Sequence, residues 1–492
     1  MDDAVELRTR LRRCKTSLLA ETVVGRGVAE DVAPPGDAAR VCHYAENVAT
    51  LGEGAKQRRS DMRRAHPLAG WPATLVANPA LALAPLLVFL VVVSVVFPDR
   101  QDDEAGYLEL ARNLMHGHYA TGRPNALLDA DPSYPDLWFG PGLPLALVGP
   151  VAAGLSLTVI RLVGPLFLFA ALVVFFKLMR RTVAPGAALV VTWLLGLYLP
   201  FYTVLPNLHS EPLAVLFVVL ALYATARIVE GADYRWVAVG GVALAGLALT
   251  RVDYGWVVTA VLIALVVWSL VSRSSGAPRR LASMYALGLA LCIPWLVYTH
   301  SQTGRVFLWG NSGSLSLYWM STPYPHEYGD WQQANAVFSD PNLSRHKPFF
   351  TTLEGHTLSQ QNATLEHQAV DNIRHHPAKY LENVAANVSR MLFDTPYSYT
   401  PQRLGALYFA LPNALLFGVF VLAAVVAVRM RASLPPPTLP FALFAFASFA
   451  MHALLAAYPR MLIPIAPVVV WFVGTTFGRN VRLVGAGPQG DG

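Results

Sequence analysis

Residues 80 to 119 read ALALAPLLVFLVVVSVVFPDRQDDEAGYLELARNLMHGHY, an apolar run followed soon by three consecutive acids and a helical pattern. The apolar part, 80 to 97, approaches the ~20 residues that a helix needs to cross a bilayer. After the acids, apolar residues recur at the spacing of one helical face, and Gly117 is placed to end that helix. They are Tyr107, Leu108, Ala111, Leu114 and Met115. We therefore predict a membrane span that leads into a helix lying along the membrane surface.

The composition of the whole chain is that of a polytopic membrane protein. Hydrophobic residues make up 54% of the 492 residues and charged residues only 14%, which is outside the usual range of soluble proteins. Cys14, Cys42 and Cys292 are too scattered to indicate a disulfide framework or a metal site. The formal net charge is +6, but the arginines gather at the ends of apolar runs. This pattern is typical of membrane topology and argues against a nucleic-acid partner.

The positions of lysine and arginine predict the topology, because short loops rich in these residues stay on the cytoplasmic side. The clusters are Arg58-Arg59, Arg63-Arg64, Lys177 with Arg180-Arg181, Arg227 and Arg235, Arg273 with Arg279-Arg280, Arg429 with Arg431, and Arg479 with Arg482. All of them fall on one side only if the segment 142–156 does not cross the membrane. That segment contains Pro144 and Pro150 and is shorter than a span, so we expect it to lie in the interface or dip into it.

We predict an all-α polytopic membrane protein of about ten spans, with both termini in the cytoplasm. The predicted spans are 82–97, 159–178, 186–205, 212–228, 236–250, 253–272, 281–299, 405–428, 438–457 and 461–477. Residues 1–80 are predicted to be a cytoplasmic, largely disordered tail without a signal-peptide layout, and a start at Met62 is an alternative. Residues 81–480 form the transmembrane domain, with outer loops 98–158 and 300–404, and 481–492 form a cytoplasmic tail.

This topology brings acids and single arginines from distant parts of the chain to the outer ends of the spans. They are Asp102, Asp103, Glu104, Arg161, Glu211, Arg251 and Arg460. Acids at helix starts also serve as N-caps, and arginines at span ends also reach to the interface, so a purely structural role stays open for each. Because the group converges on the side opposite the basic clusters, we expect the chemistry of the protein on that side.

Several of these residues belong to short motifs in a fixed order. The motifs are Asp103-Glu104-x-x-Tyr107, Pro141-Gly142-Leu143-Pro144, Arg161-Leu162, His209-Ser210-Glu211-Pro212, Leu249-Thr250-Arg251, His375-His376-Pro377-x-x-Tyr380 and Tyr458-Pro459-Arg460. Over residues 80 to 480, the chain resembles GT-C glycosyltransferases, the group of the protein O-mannosyltransferases and of the transferases that add aminoarabinose or galacturonate to lipid A. Many members have Arg-Tyr near the last span, where this chain has Arg460-Met461, which weakens the assignment of Arg460.

The resemblance implies an inverting transfer of a sugar from a polyprenyl-phosphate donor to a hydroxyl of a cell-envelope acceptor. Asp103 would be the general base and Glu104 would orient the acceptor or support Asp103, with Asp102 as an alternative base. Glu211 would be a second catalytic acid. Arg251, Arg460 and Arg161 would bind the donor phosphate, and His209 and Tyr458 are secondary candidates. No obligatory metal ion is expected, and a divalent metal stays open as an addition. Independently, the chain has no Gly-rich strand-to-helix motif for a nucleotide sugar.

Two other functions are compatible with a chain of this kind. A transporter or flippase of lipid-linked sugars would place its polar groups near the membrane midplane, often at broken helices, and a non-catalytic relative would act as a scaffold.

The aromatic residues of the outer loop have two possible roles, because they either stack on sugar rings or anchor the loop in the interface. They are Trp309, Tyr318, Trp319, Tyr324 and Trp331. The predicted location is the inner (plasma) membrane.

Overall fold

A computed structural model describes residues 78–97, 102–119, 137–271, 276–401, 404–430, 434–455 and 457–480. Within these ranges every regular element is a helix and there is no strand. The predicted tails lie outside the described residues, apart from 78–80, and so does part of the predicted outer loop 98–158. The side chain of Asp102 also lies outside them.

The helices follow one another in a simple order along the described chain. They are α1 Pro79–Val96, α2 Asp102–Met115, α3 Gly142–Ala152, α4 Leu157–Arg161, α5 Val163–Met179, α6 Pro185–Gly196, α7 Glu211–Val229, α8 Arg235–Thr250, α9 Asp253–Val271, α10 Ala277–Leu291, α11 Ile293–Thr303, α12 Gly313–Met320, α13 Ala336–Ser339, α14 Lys347–Thr351, α15 Leu358–His375, α16 Pro377–Phe393, α17 Leu407–Arg429, α18 Thr438–Leu454 and α19 Ala466–Asn480. Short 3₁₀ turns occur at Leu199–Val204, Pro341–His346, Leu404–Ala406 and Pro459–Leu462.

The described helices confirm the all-α polytopic membrane class. Five segments are long and apolar enough to cross a membrane: Pro79–Val96, Leu157–Met179, Glu211–Val229, Asp253–Val271 and Leu404–Arg429. A sixth span is formed if α10 and α11, which meet at a 44° bend, are taken together. The predicted spans 236–250 and 438–457 appear as the shorter apolar helices α8 and α18. The number of spans that we predicted, about ten, is therefore not confirmed.

The segment from Gly142 forms a helix of 11 residues, α3, with Pro150 inside it. Such a helix is about 16 Å long, which is too short to cross a hydrocarbon core of about 30 Å. This length agrees with the predicted interfacial or dipping helix.

The start of α3 is pressed against the end of α8. A Cβ atom added to Gly142 would lie 2.7 Å from the backbone nitrogen of Thr250, and one added to Gly140 would lie 2.1 Å from the carbonyl oxygen of Leu249. Only glycine allows two backbones to approach this closely. The motif around Gly142 thereby fixes the position of Arg251, which directly follows α8.

Among the described residues, basic side chains after α5 and in α10 lie beside the end of α7. Arg181, just beyond α5, donates from Nε to Glu230 at the end of α7 over 2.9 Å. Arg280, in the first turn of α10, donates to the carbonyl oxygen of Ala232 over 3.1 Å. The opposite ends of α5, α7 and α8 therefore face the other side of the bundle, and the candidate acids and arginines are at those ends.

The long outer loop folds as a layer of helices with an apolar core of its own. Helix α12 packs against α15. The buried core side chains of this layer are Leu315, Tyr318, Trp319, Ala334, Val337, Leu343, Phe350, Leu353 and Leu365. The stretch 366–393 is divided between α15 and α16 at His376-Pro377. A proline disfavours helical geometry in the residue before it, and His376 has a φ of −129° and a ψ of 53°.

The close approach of α3 to α8 can be tested with two alanine substitutions in the same helix. We expect Gly142→Ala to lower the thermal midpoint of the purified protein, because its Cβ would meet Thr250 and overpacking of this kind costs about 1 to 3 kcal/mol. The matched control is Gly149→Ala, where no atom lies within 4 Å of the added Cβ. The control should leave the midpoint unchanged or raise it. Equal midpoints for the two variants would contradict the proposed contact.

Candidate functional site

Five side chains from four separate parts of the sequence meet at one place. Arg460 Nη1 donates to Asp103 Oδ2 over 3.0 Å, and Arg251 Nη1 donates to Glu211 Oε1 over 2.7 Å. Arg460 Nε also lies 3.8 Å from Glu211 Oε1, which joins the two pairs. His209 Nδ1 lies 3.9 Å from a carboxylate oxygen of Asp103 and 3.9 Å from one of Glu211. We call these five residues the acid–guanidinium cluster.

Four members of the cluster lie at the ends of helices or in a 3₁₀ turn, and His209 lies two residues before α7. Asp103 is in the first turn of α2, and Glu211 begins α7, with Pro212 at a position that proline favours in a helix. Arg251 is the C-cap of α8, and Arg460 is in the 3₁₀ turn Pro459–Leu462. The helix ends position these side chains, and the packing of the helices in the bundle brings the ends close together.

The cluster has a more open side and a buried side. The side chains of Asp103 and Arg460 are 31% and 37% exposed, whereas that of Glu211 is 2% exposed and that of Arg251 is 11% exposed. A reactant from outside would therefore meet Asp103 and Arg460 before it reaches Glu211. The buried side has the lower permittivity, so charge interactions there are stronger.

Burial decides the protonation of His209. It lowers the pKa of His209, and this effect outweighs the carboxylates of Glu211 and Asp103, which act in the opposite direction. His209 is therefore neutral near pH 7. Among the described residues, no group of three or more His, Cys, Asp or Glu side chains is arranged to hold a metal ion.

Glu104 and Arg161 form a separate buried pair. Arg161 donates from Nε and from Nη2 to the two carboxylate oxygens of Glu104, over 2.8 and 2.7 Å, and both side chains are 8% exposed. Glu104 also accepts the backbone N–H of Leu208 over 3.1 Å. The pair thus fastens α2 to α4 and to the residues just before His209. This geometry places Arg161 beside Glu104 and not among the cluster arginines.

The guanidinium of Arg251 retains donor capacity. Its Nη2 lies 2.8 Å from the sulfur of Met461, which is a weak acceptor. The same Nη2 is 3.5 Å from Asp253 Oδ2, and the buried Nε has no hydrogen-bond partner among the described residues. Oxygen atoms of an anion would satisfy these donors better than the thioether does.

The structure adds two residues to the site that the sequence analysis did not identify. His452 Nε2 lies 2.6 Å from Asp253 Oδ2, and Asp253 is in turn close to Arg251. The spacing Arg251-Val252-Asp253 could have indicated the acid, because both residues lie between two apolar runs. His452 lies within an apolar run, and nothing in its local sequence pairs it with Asp253.

Helix α16 holds the segment that carries Arg460. Asn387 donates to the carbonyl oxygens of His452 and Ala453 over 3.0 and 2.9 Å and accepts the N–H of Ala457 over 2.9 Å. Arg390, which is 1% exposed, donates to the carbonyl oxygen of Ala457 over 3.3 Å. The outer-loop layer therefore positions a cluster residue.

The aromatic residues of the outer loop differ in how far they are exposed. Trp309, Tyr318 and Trp319 are 1%, 5% and 1% exposed, so they are core residues, and neither sugar stacking nor interfacial anchoring applies to them. Tyr324 is 36% exposed. The hydroxyl of Tyr458 donates to the carbonyl oxygen of Trp331 over 3.3 Å.

The motif His375-His376-Pro377-x-x-Tyr380 lies at the junction of α15 and α16, and its side chains make contacts within the protein. His375 is exposed and pairs with Asp371 in its own helix. Tyr380 donates from its hydroxyl to the carbonyl oxygen of Leu454 over 2.8 Å. Tyr380 therefore adds another contact between α16 and the end of α18.

Comparison with known proteins gives matches among solved structures. No family model matches the chain, and no curated protein matches it. ArnT from Cupriavidus metallidurans bound to undecaprenyl phosphate is similar at 17% identity, with 81% of this chain and 77% of that chain covered and a TM-score of 0.37. The same protein in the apo state is 18% identical, with coverages of 82% and 76% and a TM-score of 0.39.

The archaeal oligosaccharyltransferase AglB from Archaeoglobus fulgidus, in complex with an inhibitory peptide and a dolichol-phosphate, is also similar. It is 13% identical with a TM-score of 0.45, and 82% of this chain aligns with it. The chain spans only half the length of that protein. ArnT and AglB are both GT-C glycosyltransferases, the group that the sequence motifs resemble. At these TM-scores the likeness assigns neither a substrate nor a residue role to this chain.

The buried Glu104–Arg161 pair predicts a specific pattern of stabilities. We expect Glu104→Gln alone to lower the thermal midpoint strongly, because a buried guanidinium without its carboxylate costs about 3 to 5 kcal/mol. The double variant Glu104→Gln, Arg161→Gln should recover most of this loss. As a control, Arg181→Gln removes one partner of a half-exposed pair and should have a small effect. A double variant as unstable as Glu104→Gln would refute the pairing.

The neutral His209 predicts a pH dependence of stability. Because its folded-state pKa is lowered, the unfolded chain takes up a proton at this residue below about pH 6.5 and the folded protein does not. The stability that His209 contributes is therefore present above about pH 6.5 and is lost as the pH falls. We expect His209→Asn to lose less thermal stability than the native protein on acidification. The exposed-site variant His375→Asn should follow the native curve, and parallel curves for all three proteins would rule out the effect.

Proposed function

We propose that the protein is an inverting glycosyltransferase that moves a sugar from a polyprenyl phosphate to a hydroxyl of a cell-envelope acceptor, on the extracytoplasmic side of the inner membrane. The observation that carries the proposal is the placement of a partly exposed carboxylate, Asp103, beside the guanidinium of Arg460, which also approaches the buried pair of Glu211 and Arg251. Arg460 lies 3.0 Å from Asp103 and 3.8 Å from Glu211, and Arg251 lies 2.7 Å from Glu211. A base and a phosphate-binding group are the two parts that this reaction needs.

Asp103 is the best-placed general base among the cluster acids. Glu211 is 2% exposed and is engaged by Arg251, whereas Asp103 lies on the open side. Arg460 and His209 both approach Oδ2 of Asp103, which leaves Oδ1 for the hydroxyl of an acceptor. A positioned general base accelerates such a step by about 10²- to 10⁴-fold.

Arg251 and Arg460 would bind the donor phosphate. In the proposed step, the acceptor oxygen forms a bond to the anomeric carbon, and the bond from that carbon to the phosphate oxygen breaks. The electron pair goes to the phosphate, which gains negative charge, and the hydroxyl proton goes to Asp103. Fixed guanidinium groups stabilise the charge where it accumulates, and Arg251 has the unsatisfied donors to do so.

Glu104 and Arg161 have a supporting role in this proposal. Their mutual hydrogen bonds and the contact to Leu208 hold α2 against the start of α7. Asp103, the neighbour of Glu104, is thereby held near His209, which also lies beside Glu211. Arg161 would affect the donor phosphate only through this scaffold.

The proposed step uses no metal ion. Oδ2 of Asp103 accepts from Arg460 and Oε1 of Glu211 accepts from Arg251, so guanidinium groups supply positive charge beside both acids.

The arrangement favours a transferase over a transporter of lipid-linked sugars. A transport path needs polar groups along the middle of the bundle. Asp103, Glu211 and Arg251 all lie at helix ends, and the bend between α10 and α11 occurs at Cys292, which is buried among apolar side chains. The charged groups therefore form a site at one end of the bundle.

The proposal predicts that Asp103→Asn abolishes transfer. We expect a deletion strain to lack one sugar on an envelope glycan or glycolipid, as measured by mass spectrometry, and the native protein to restore it. Asp103→Asn should restore less than about one hundredth of it at equal protein level, because the base is lost. The matched control is Arg112→Gln, an exposed residue of the same helix, which should restore it fully. Full restoration by Asp103→Asn would remove Asp103 as the base.

A further inference from the structure

The contact between Asp253 and His452 is not explained by the roles assigned so far. Asp253 is the first residue of α9, and His452 is in the last turn of α18. The Nε2 atom of His452 lies 2.6 Å from Asp253 Oδ2, and its Nδ1 atom lies 2.7 Å from the carbonyl oxygen of Ser448. His452 is 3% exposed, so it does not reach a substrate.

The partners of His452 determine where its protons are. A carbonyl oxygen can only accept a hydrogen bond, so Nδ1 must carry a hydrogen. The short contact between Nε2 and the carboxylate of Asp253 then needs a second proton, on one atom or on the other. Whether the pair is imidazolium with carboxylate or imidazole with carboxylic acid, it holds one shared proton and has no net charge.

The charged group nearest the pair, Arg251, favours the ionised carboxylate of Asp253, so that the shared proton belongs to the imidazole ring. Arg251 Nη2 lies 3.5 Å from Asp253 Oδ2, and the ring of Tyr254 lies 5.8 Å from that of His452. Helix α16, which also packs against α18, presents the uncharged Asn387 to the backbone of His452. Arg251 and Tyr254 are therefore the charged and titratable groups that face the pair.

The shared proton changes the total charge of the site. In the acid–guanidinium cluster, the two arginines balance Asp103 and Glu211, and His209 is neutral. With its proton the pair adds no charge, so the site is neutral. Without the proton Asp253 adds an uncompensated negative charge beside Arg251, and a phosphate anion would be repelled there.

We propose that Asp253 and His452 form a positioning pair of the donor-phosphate site, whose shared proton keeps this site from becoming negative so that Arg251 can bind a lipid phosphate. The inference rests on the proposed function and deepens it. A purely structural role, in which the pair only joins α9 to α18, is the competing explanation. The two explanations differ when the shared proton is removed while the hydrogen-bond donor is kept, and when neutrality is then restored without that proton.

The test measures binding of undecaprenyl phosphate to the purified full-length protein in detergent at neutral pH. His452→Gln keeps an N–H donor toward Asp253 but cannot hold the proton, so the site becomes negative and binding should weaken about tenfold or more. The double variant Asp253→Asn, His452→Gln is neutral again and should return to within about threefold of the native affinity. The matched control is His346→Gln, which alters a buried histidine 3.2 Å from Glu327 in the outer-loop layer and should leave binding unchanged.

The outcomes separate this inference from the proposed function. Equal binding by the native protein and His452→Gln would overturn the inference alone. A double variant that binds as weakly as His452→Gln, or more weakly, would overturn it in favour of the structural role. If the native protein itself does not bind undecaprenyl phosphate, the proposed donor and this inference both fail.

Discussion

The site depends on a guanidinium held in a largely buried place between two carboxylates. Arg251 contacts Glu211 at 2.7 Å and Asp253 at 3.5 Å, and its side chain is 11% exposed. Removing one charge from such a group leaves the others uncompensated at low permittivity. Arg251 therefore constrains how the ends of α7, α8 and α9 meet, and this constraint places the other site residues.

The outer-loop layer also helps to position the residues of the site. Asn387 and Arg390 of α16 bond the backbone between His452 and Ala457, and Arg460 follows a few residues later. The loop thus determines the position of a guanidinium that pairs with Asp103. A long outer loop with its own buried core is rigid enough to do this, and a flexible connector would not be.

The distribution of charge gives the site its chemical character. Near the opening, Asp103 can accept a proton, while deeper in the site Arg251 has donors that face a thioether sulfur. The two cluster arginines balance the two cluster acids, and in our proposal the proton that Asp253 and His452 share keeps the site from becoming negative. Such a balance suits a reaction whose anionic leaving group forms beside the arginines.

The sequence by itself determined the membrane class, the separation of basic clusters from candidate catalytic residues, and the grouping of Asp103, Glu211, Arg251 and Arg460. These features follow from local composition, because each span fixes the side on which its ends lie. Only the tertiary structure decided which acid pairs with which arginine, that Trp309 and Trp319 are core residues, and that His452 contacts Asp253. Pairing and burial depend on how helices distant in sequence pack together, and the local pattern of a single sequence carries no record of those contacts.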